Sequence, residues 1–187
     1  MAGCLVLVVG PSGAGKDTLI RLARAALAGD PRYVFPRRLV TRPPSPDEDN
    51  DEIDATAFAE GCAEGCFTLH WRAHGLGYAI PAEAGRLVAA GHAVVCNVSR
   101  RVVAQARAAG PRVSVVEITA PPEILMQRLA ARGRAEDGDL AARLAREVPV
   151  EADLRILNVG APASGAERLV AHLRTCGADR PQDRSAS

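Results

Sequence analysis

Residues 10–18 read GPSGAGKDT. They stand between a continuous apolar run, CLVLVV at residues 4–9, and a stretch in which Leu19, Ile20, Leu22, Ala23, Ala26 and Leu27 recur with helical spacing up to Gly29. No other feature of the chain limits its fold as much. Strand, G-x-x-x-x-G-K, helix is the order of a phosphate-binding loop, whose backbone N–H groups cradle a phosphate while the lysine reaches the β- and γ-phosphate oxygens. Gly10, Gly13 and Gly15 allow the positive φ values and close backbone approach that a Cβ would block. The helix beyond them aims its unpaired N–H groups and positive dipole end at the anion. Lys16 is the only lysine among 187 residues, against twenty-two arginines, so a point charge on a flexible stem is kept at one place. The chain is expected to bind nucleotide phosphates with Gly10, Pro11, Ser12, Gly13, Ala14, Gly15, Lys16, Asp17 and Thr18.

Beyond the loop, apolar strands alternate with helical segments. Residues 33–41 (YVFPRRLVT) read as a strand interrupted by Pro36, and residues 43–54, rich in Pro and acid, as an exposed loop. A short helix over 55–64 precedes a strand FTLHW at 67–71 and a turn through Gly75 and Gly77. A helix opened by Pro81 runs to Ala90 and is closed by Gly91. Strands follow at 93–98, 112–119 and 154–159, with helices at 100–109, 121–132, 136–147 and 166–174. The alternation predicts an α/β protein of the P-loop NTPase type, three layers α/β/α around a parallel, doubly wound sheet. One domain over residues 1–177 suffices for this length, with a polar, frayed tail at 178–187.

Composition narrows the partners. A formal net charge of +1 gives no global field toward nucleic acid or a membrane surface, and no apolar run reaches spanning length. Aromatics make up 3% against 48% apolar residues, so the core is to be built from Val, Leu, Ile and Ala. Five cysteines and no signal-peptide pattern read as reduced thiols in a cytoplasmic protein. Cys62, Cys66, His70 and His74 recur every four residues, a spacing that would stack zinc ligands on one helix face. Gly61, Gly65 and Gly75 weaken such a helix, and a loop with spare thiols and polar histidines is the expected outcome.

The rest of the chain resembles the guanylate kinase family over nearly its whole length. GPSGAGK opens it. LVTRPPSPDE at 39–48 is similar to the family's acceptor-phosphate segment, RLAARGR at 128–134 followed by Arg143 to its arginine-bearing lid, and ILNVG at 156–160 to the strand beside the adenine. The resemblance implies an acceptor-binding region over 43–80 and a lid over 132–150. The departures are specific. The guanine-reading Glu is replaced by Leu69, counting back from Gly75 and Tyr78; the second acceptor arginine by Ser45; and an acceptor-segment Ser by Arg38. The acidic strand end becomes Cys96, Asn97, Val98 and Ser99. Base-reading carboxylates are lost and arginines, which pair bidentately with phosphate, are gained.

With GKDT and N-x-S-R at 97–100, this pattern resembles the guanylate-kinase-like branch that phosphorylates ribose 1,5-bisphosphate in phosphonate catabolism. The resemblance implies ATP and Mg²⁺ as cofactors and a sugar bisphosphate as the small-molecule partner. Lys16, Arg132 and Arg143 are the implied catalytic residues, and Arg128 and Arg146, one turn away, are accounted for by a solvated helix face. Arg38, Arg42, Tyr78, Asn97 and Ser99 are the implied acceptor ligands. Arg37 alternates to the opposite face from Arg38, and the acidic segment 47–54 is expected to face away from the phosphates. Asp17 stands where such loops carry the Mg²⁺-ligating Ser or Thr; either its carboxylate or Thr18 is the expected ligand. Alternatives are a nucleoside monophosphate kinase, a non-catalytic interaction module, or a kinase for another phosphorylated sugar. Nothing in the sequence fixes an oligomeric state.

Overall fold

The computed structural model describes residues 3–43, 49–132 and 149–177, the side chain of Arg132 excepted. The expected helix at 136–147, most of the lid and the tail therefore lie outside the described residues.

Five parallel strands form the main sheet in the order β2-β7-β1-β8-β9. They are β1 (Cys4–Val9), β2 (Tyr33–Val34), β7 (Ala93–Asn97), β8 (Arg112–Thr119) and β9 (Leu154–Leu157). The continuous apolar run of β1 makes it the centre, since a strand covered on both faces has no solvent side to alternate with. All six of its residues are at most 1% exposed. Cys4, Val6 and Val8 face a cluster with Leu19, Leu125, Leu169 and Leu173. Leu5, Leu7 and Val9 face a second cluster with Val88, Val102, Val103 and Ala106. Helices α1 (Lys16–Ala26), α5 (Pro122–Arg132) and α6 (Pro162–Gly177) thus cover one face, and α3 (Ala82–Ala89) and α4 (Val103–Ala108) the other. A 3₁₀ turn, Arg100–Val102, precedes α4. Each fully buried Leu or Val contributes about 1.5–3 kcal/mol, which lets a core with few aromatics suffice.

A second sheet was not legible as such. Its order is β4-β3-β6-β5, from β3 (Arg38–Val40), β4 (Asn50–Glu52), β5 (Phe67–Ala73) and β6 (Leu76–Pro81). The expected strand at 33–41 is two strands in two sheets, because the break around Pro36, which lacks an N–H for a ladder, lets the chain leave the main sheet. The expected turn through Gly75 and Gly77 shrinks to His74 and Gly75, at φ 53° and 75°, the pair of positive values of a two-residue hairpin turn. Gly77 lies inside β6, where a Cβ would come 2.7 Å from the Phe58 ring. Part of the expected acidic loop pairs as β4, Arg38 to Asn50 and Val40 to Glu52, in parallel register.

Helix α2 (Ala55–Ala63) is capped by the Asp54 carboxylate, which accepts from the N–H groups of Thr56 at 2.7 Å and Ala57 at 3.3 Å. It ends before Cys66, so the four-residue Cys/His spacing never shares a helix face. Cys62 Sγ lies 3.3 Å from His70 Nδ1, whereas Cys66 turns to Glu64 and His74 sits in the hairpin turn. No group of three metal-ligating side chains gathers among the described residues. All five cysteines are free thiols.

Candidate active site

The phosphate loop emerges from β1 at the carboxyl end of the sheet, where parallel α/β sheets place their ligands. Gly10, Gly13 and Gly15 all take positive φ, at 144°, 79° and 88°. Lys16 opens α1 and folds back, its Nζ donating to the carbonyls of Gly10 at 2.9 Å and Pro11 at 3.0 Å. Two further donors hold the outside of the loop. Asn158, 4% exposed just past β9, donates from Nδ2 to the Ala14 carbonyl at 2.8 Å. Arg128 on α5 donates to the Gly13 carbonyl at 3.3 Å and to that of Asn158 at 3.0 Å. Arg128 is therefore a brace between loop and last strand, which corrects its reading as a solvated helix residue.

Asn158→Asp keeps the shape of the side chain but removes the donor and turns an oxygen toward a carbonyl. Losing one such bond costs about 1–3 kcal/mol when its partner is left buried, so the KM for ATP is expected to rise about tenfold with the acceptor KM little changed. Steady-state kinetics with each substrate varied checks this; an unmoved ATP KM would show that the loop holds its shape without the brace.

Asp17 and Asn97 meet. Asn97 ends β7, beside β1, and its Nδ2 donates to Asp17 Oδ1 at 2.8 Å. Its own Oδ1 is buried with no hydrogen-bond partner. A carboxylate and an orphaned amide oxygen, with the Thr18 hydroxyl one residue along, are hard oxygen donors of the kind Mg²⁺ takes, so the residues present fit that ion.

A cleft opens between α1 and the second sheet, lined by Asp17, Arg21, Arg24, Arg38, Asn50 and Asn97 among others. Arg38 lies over the Tyr78 ring at 5.2 Å, Tyr78 stacks on Trp71 at 5.4 Å, and Arg38 Nε donates to Asn50 Oδ1 at 3.1 Å. The guanidinium is thus held over an aromatic platform, a favourable cation–π contact, and the bond to Asn50 fixes its direction. Arg37 pairs with Asp49 at 2.9 Å and Asp51 at 2.8 Å. Arg42 follows β3 with its Nε buried. Ser99 is not brought to the cleft wall; its hydroxyl caps the 3₁₀ turn, accepting from Arg101 N at 3.3 Å. Leu69 is 1% exposed within the apolar cluster of Trp71 and Ile80, so no carboxylate reads a base from this position. Asp49 does not face away as expected, because it also pairs with Arg24 of α1 at 2.5 Å. Arg21 and Arg24 were not singled out from the sequence. The signal available was their i+4 and i+7 spacing from Asp17. Arg132 ends α5, and Arg143, Ser45 and Arg146 lie outside the described residues.

A glycine-rich loop at the strand ends, beside an arginine-lined cleft walled by a second small sheet, defines a P-loop kinase of the guanylate-kinase-like fold. The guanylate kinase of Anaplasma phagocytophilum shares that fold with TM-score 0.65 at 19% identity, over 93% of this chain and 86% of that one. No protein-family model matches the chain. Curated relatives carry the name ribose 1,5-bisphosphate phosphokinase PhnN. One from Methylobacterium radiotolerans is 81% identical over 176 residues, 94% of this chain and 100% of that protein. One from Bradyrhizobium diazoefficiens is 52% identical over 175 residues, 92% of this chain and 88% of that protein. The chain belongs to the ribose 1,5-bisphosphate phosphokinase family.

Proposed function

We propose that this chain transfers the γ-phosphoryl group of ATP to ribose 1,5-bisphosphate, giving ADP and 5-phosphoribosyl 1-diphosphate, in the cytoplasm and as a step of phosphonate catabolism. The observation that carries this reading is the cleft between α1 and the second sheet: Arg38 is held on Tyr78 while Leu69 is buried. Such a cleft offers guanidinium to phosphate, and the apolar Leu69 offers no carboxylate to a base. Assaying ADP release with ribose 1,5-bisphosphate and with GMP tests it. The sugar bisphosphate is expected to be much the better acceptor, and faster turnover of GMP would restore a nucleoside monophosphate kinase.

In this reading a phosphate oxygen on C1 attacks the γ-phosphorus in line. The bond from that phosphorus to the β,γ-bridging oxygen breaks, and ADP leaves with the electron pair. A phosphate dianion is already nucleophilic, so the protein supplies positioning and charge neutralisation. Residues 10–18 hold the triphosphate, with Lys16 moving from its carbonyls to the β- and γ-phosphate oxygens. Arg38 and Arg42 hold the acceptor's reacting phosphate, with Tyr78 as platform and Asn97 within reach of a hydroxyl. The sheet of β3 to β6 belongs to the acceptor region, and Arg132 and Arg143 act from the lid. Mg²⁺ would be held by Asp17, with Thr18 or the free oxygen of Asn97, and supplies neutralisation of the phosphate oxygens when bound.

The Asp17 assignment has its own measurement. Asp17→Ser is expected to keep much activity, since a hydroxyl oxygen remains at the usual ligand position. Asp17→Ala loses an oxygen ligand outright and is expected to need about tenfold more Mg²⁺ for half-maximal rate, the weight of one charge-assisted contact of about 1.5 kcal/mol. If Asp17 only favours the helix start, the substitution costs about 0.3–1 kcal/mol of stability and the Mg²⁺ curves of all three proteins superimpose.

A further inference from the structure

Asp17, Ile20, Arg21 and Arg24 line the cleft from α1, facing Arg38 and Asn50 across it. Their spacing, i, i+3, i+4 and i+7, places them on a single helix face. At 1.5 Å of rise per residue, Arg21 lies about 6 Å and Arg24 about 10 Å beyond Asp17 along the axis. The near end of this stripe is acidic and belongs to the reaction centre through the Asp17–Asn97 hydrogen bond. The far end is cationic and already holds an oxyanion: one Asp49 oxygen lies 2.5 Å from Arg24 Nη1, and the other 2.9 Å from Arg37 Nε. Arg24 and Asp49 keep 42% and 45% side-chain exposure, and an ion pair so exposed is worth about 0–1 kcal/mol. A phosphate dianion, which forms stronger charge-assisted, bidentate bonds with guanidinium, displaces such a carboxylate readily.

We propose that Arg21 and Arg24 form the subsite for the acceptor's second phosphate, the one on C5 that does not react. Helix α1 then acts as a ruler. The reacting phosphate sits on Arg38, across the cleft from the near end of the stripe, and only a sugar with another phosphate at its far end spans to the two arginines. A sugar monophosphate leaves one end empty, so the helix selects bisphosphates with no contact to the ring. This assignment rests on ribose 1,5-bisphosphate as acceptor.

The test uses Arg21→Ala, Arg24→Ala, Arg24→Gln and the double alanine variant in the full chain. The acceptor KM and kcat are measured with ribose 1,5-bisphosphate, and inhibition constants with ribose 5-phosphate and ribose 1-phosphate. Hydrogen bonds to charged groups of about 1.5–3 kcal/mol correspond to a ten- to hundredfold rise in acceptor KM. The ATP KM and kcat should stay within about threefold of wild type, as for lost uniform binding. Inhibition by ribose 5-phosphate should weaken in parallel, while inhibition by ribose 1-phosphate stays put. A merely structural role would weaken both inhibitors alike, and that result, or an unmoved acceptor KM, overturns the subsite. Arg24→Gln keeps the length of the side chain and decides the matter if an alanine variant fails to fold. A wild-type protein that does not phosphorylate ribose 1,5-bisphosphate overturns the acceptor reading and this one with it. Normal turnover by wild type and variants alike overturns the subsite alone.

Discussion

Lys16→Ala is expected to lose a factor of about 10² to 10³ in kcat, roughly 3–4 kcal/mol of transition-state stabilisation, the range measured when a fixed electrostatic donor is removed from a reaction centre. The fold should survive. Nζ donates to the Gly10 and Pro11 carbonyls, both in the loop itself and only partly buried. Losing those two bonds costs about 1–3 kcal/mol of stability. Kinetics and a thermal melt on one preparation check both halves. Normal turnover in a folded variant would remove the phosphate loop from the reaction.

Gly10→Ala is expected to act on stability instead, by about 3 kcal/mol or more. At φ 144° a side chain is strained, and its Cβ would stand 1.9 Å from the Ile118 carbonyl oxygen. That oxygen is backbone of β8, paired with β1 at the centre of the sheet, so no rotamer change relieves the contact. Backbone strain and overpacking each cost about 1–3 kcal/mol. Gly29→Ala is the control: φ is 87°, but nothing lies within 4 Å of the added carbon, so strain alone remains, about 1–2 kcal/mol. Urea melts of the two variants should differ by at least the overpacking cost. Equal midpoints would mean that β1 and β8 part easily at that point.

These two residues could be chosen from sequence because the phosphate loop is contiguous. Strand, turn and helix follow one another, and each has a local signature. The main sheet was legible for a related reason: strands covered on both faces, such as CLVLVV and AVVCN, stand out as unbroken apolar runs. The second sheet was hidden. β6 contains Gly77, chosen for contact with Phe58, and its hairpin turn is His-Gly where the usual signal is Asn-Gly. β4 is NDE, a sequence that reads as loop because edge strands tolerate polar residues. In the site, distance along the chain decided what was missed. Asn158 and Arg128 reach the loop from 144 and 115 residues away, and no local pattern marks such a contact. Arg21 and Arg24 look like any solvated helical arginines until the structure shows which face of α1 borders the cleft.

The hydrogen bonds of Lys16 to two carbonyls have a practical side, because no other residue of this chain carries an ε-ammonium group. Isotopically labelled lysine would give a single side-chain ammonium signal, arising from the phosphate loop and nowhere else. Its shift would report whether the charge rests on carbonyl oxygens or on a nucleotide. An amine-directed reagent would likewise have one side-chain target, shielded by whatever fills the loop. The residue that anchors the chemistry is also the one place where occupancy could be read directly, without following turnover.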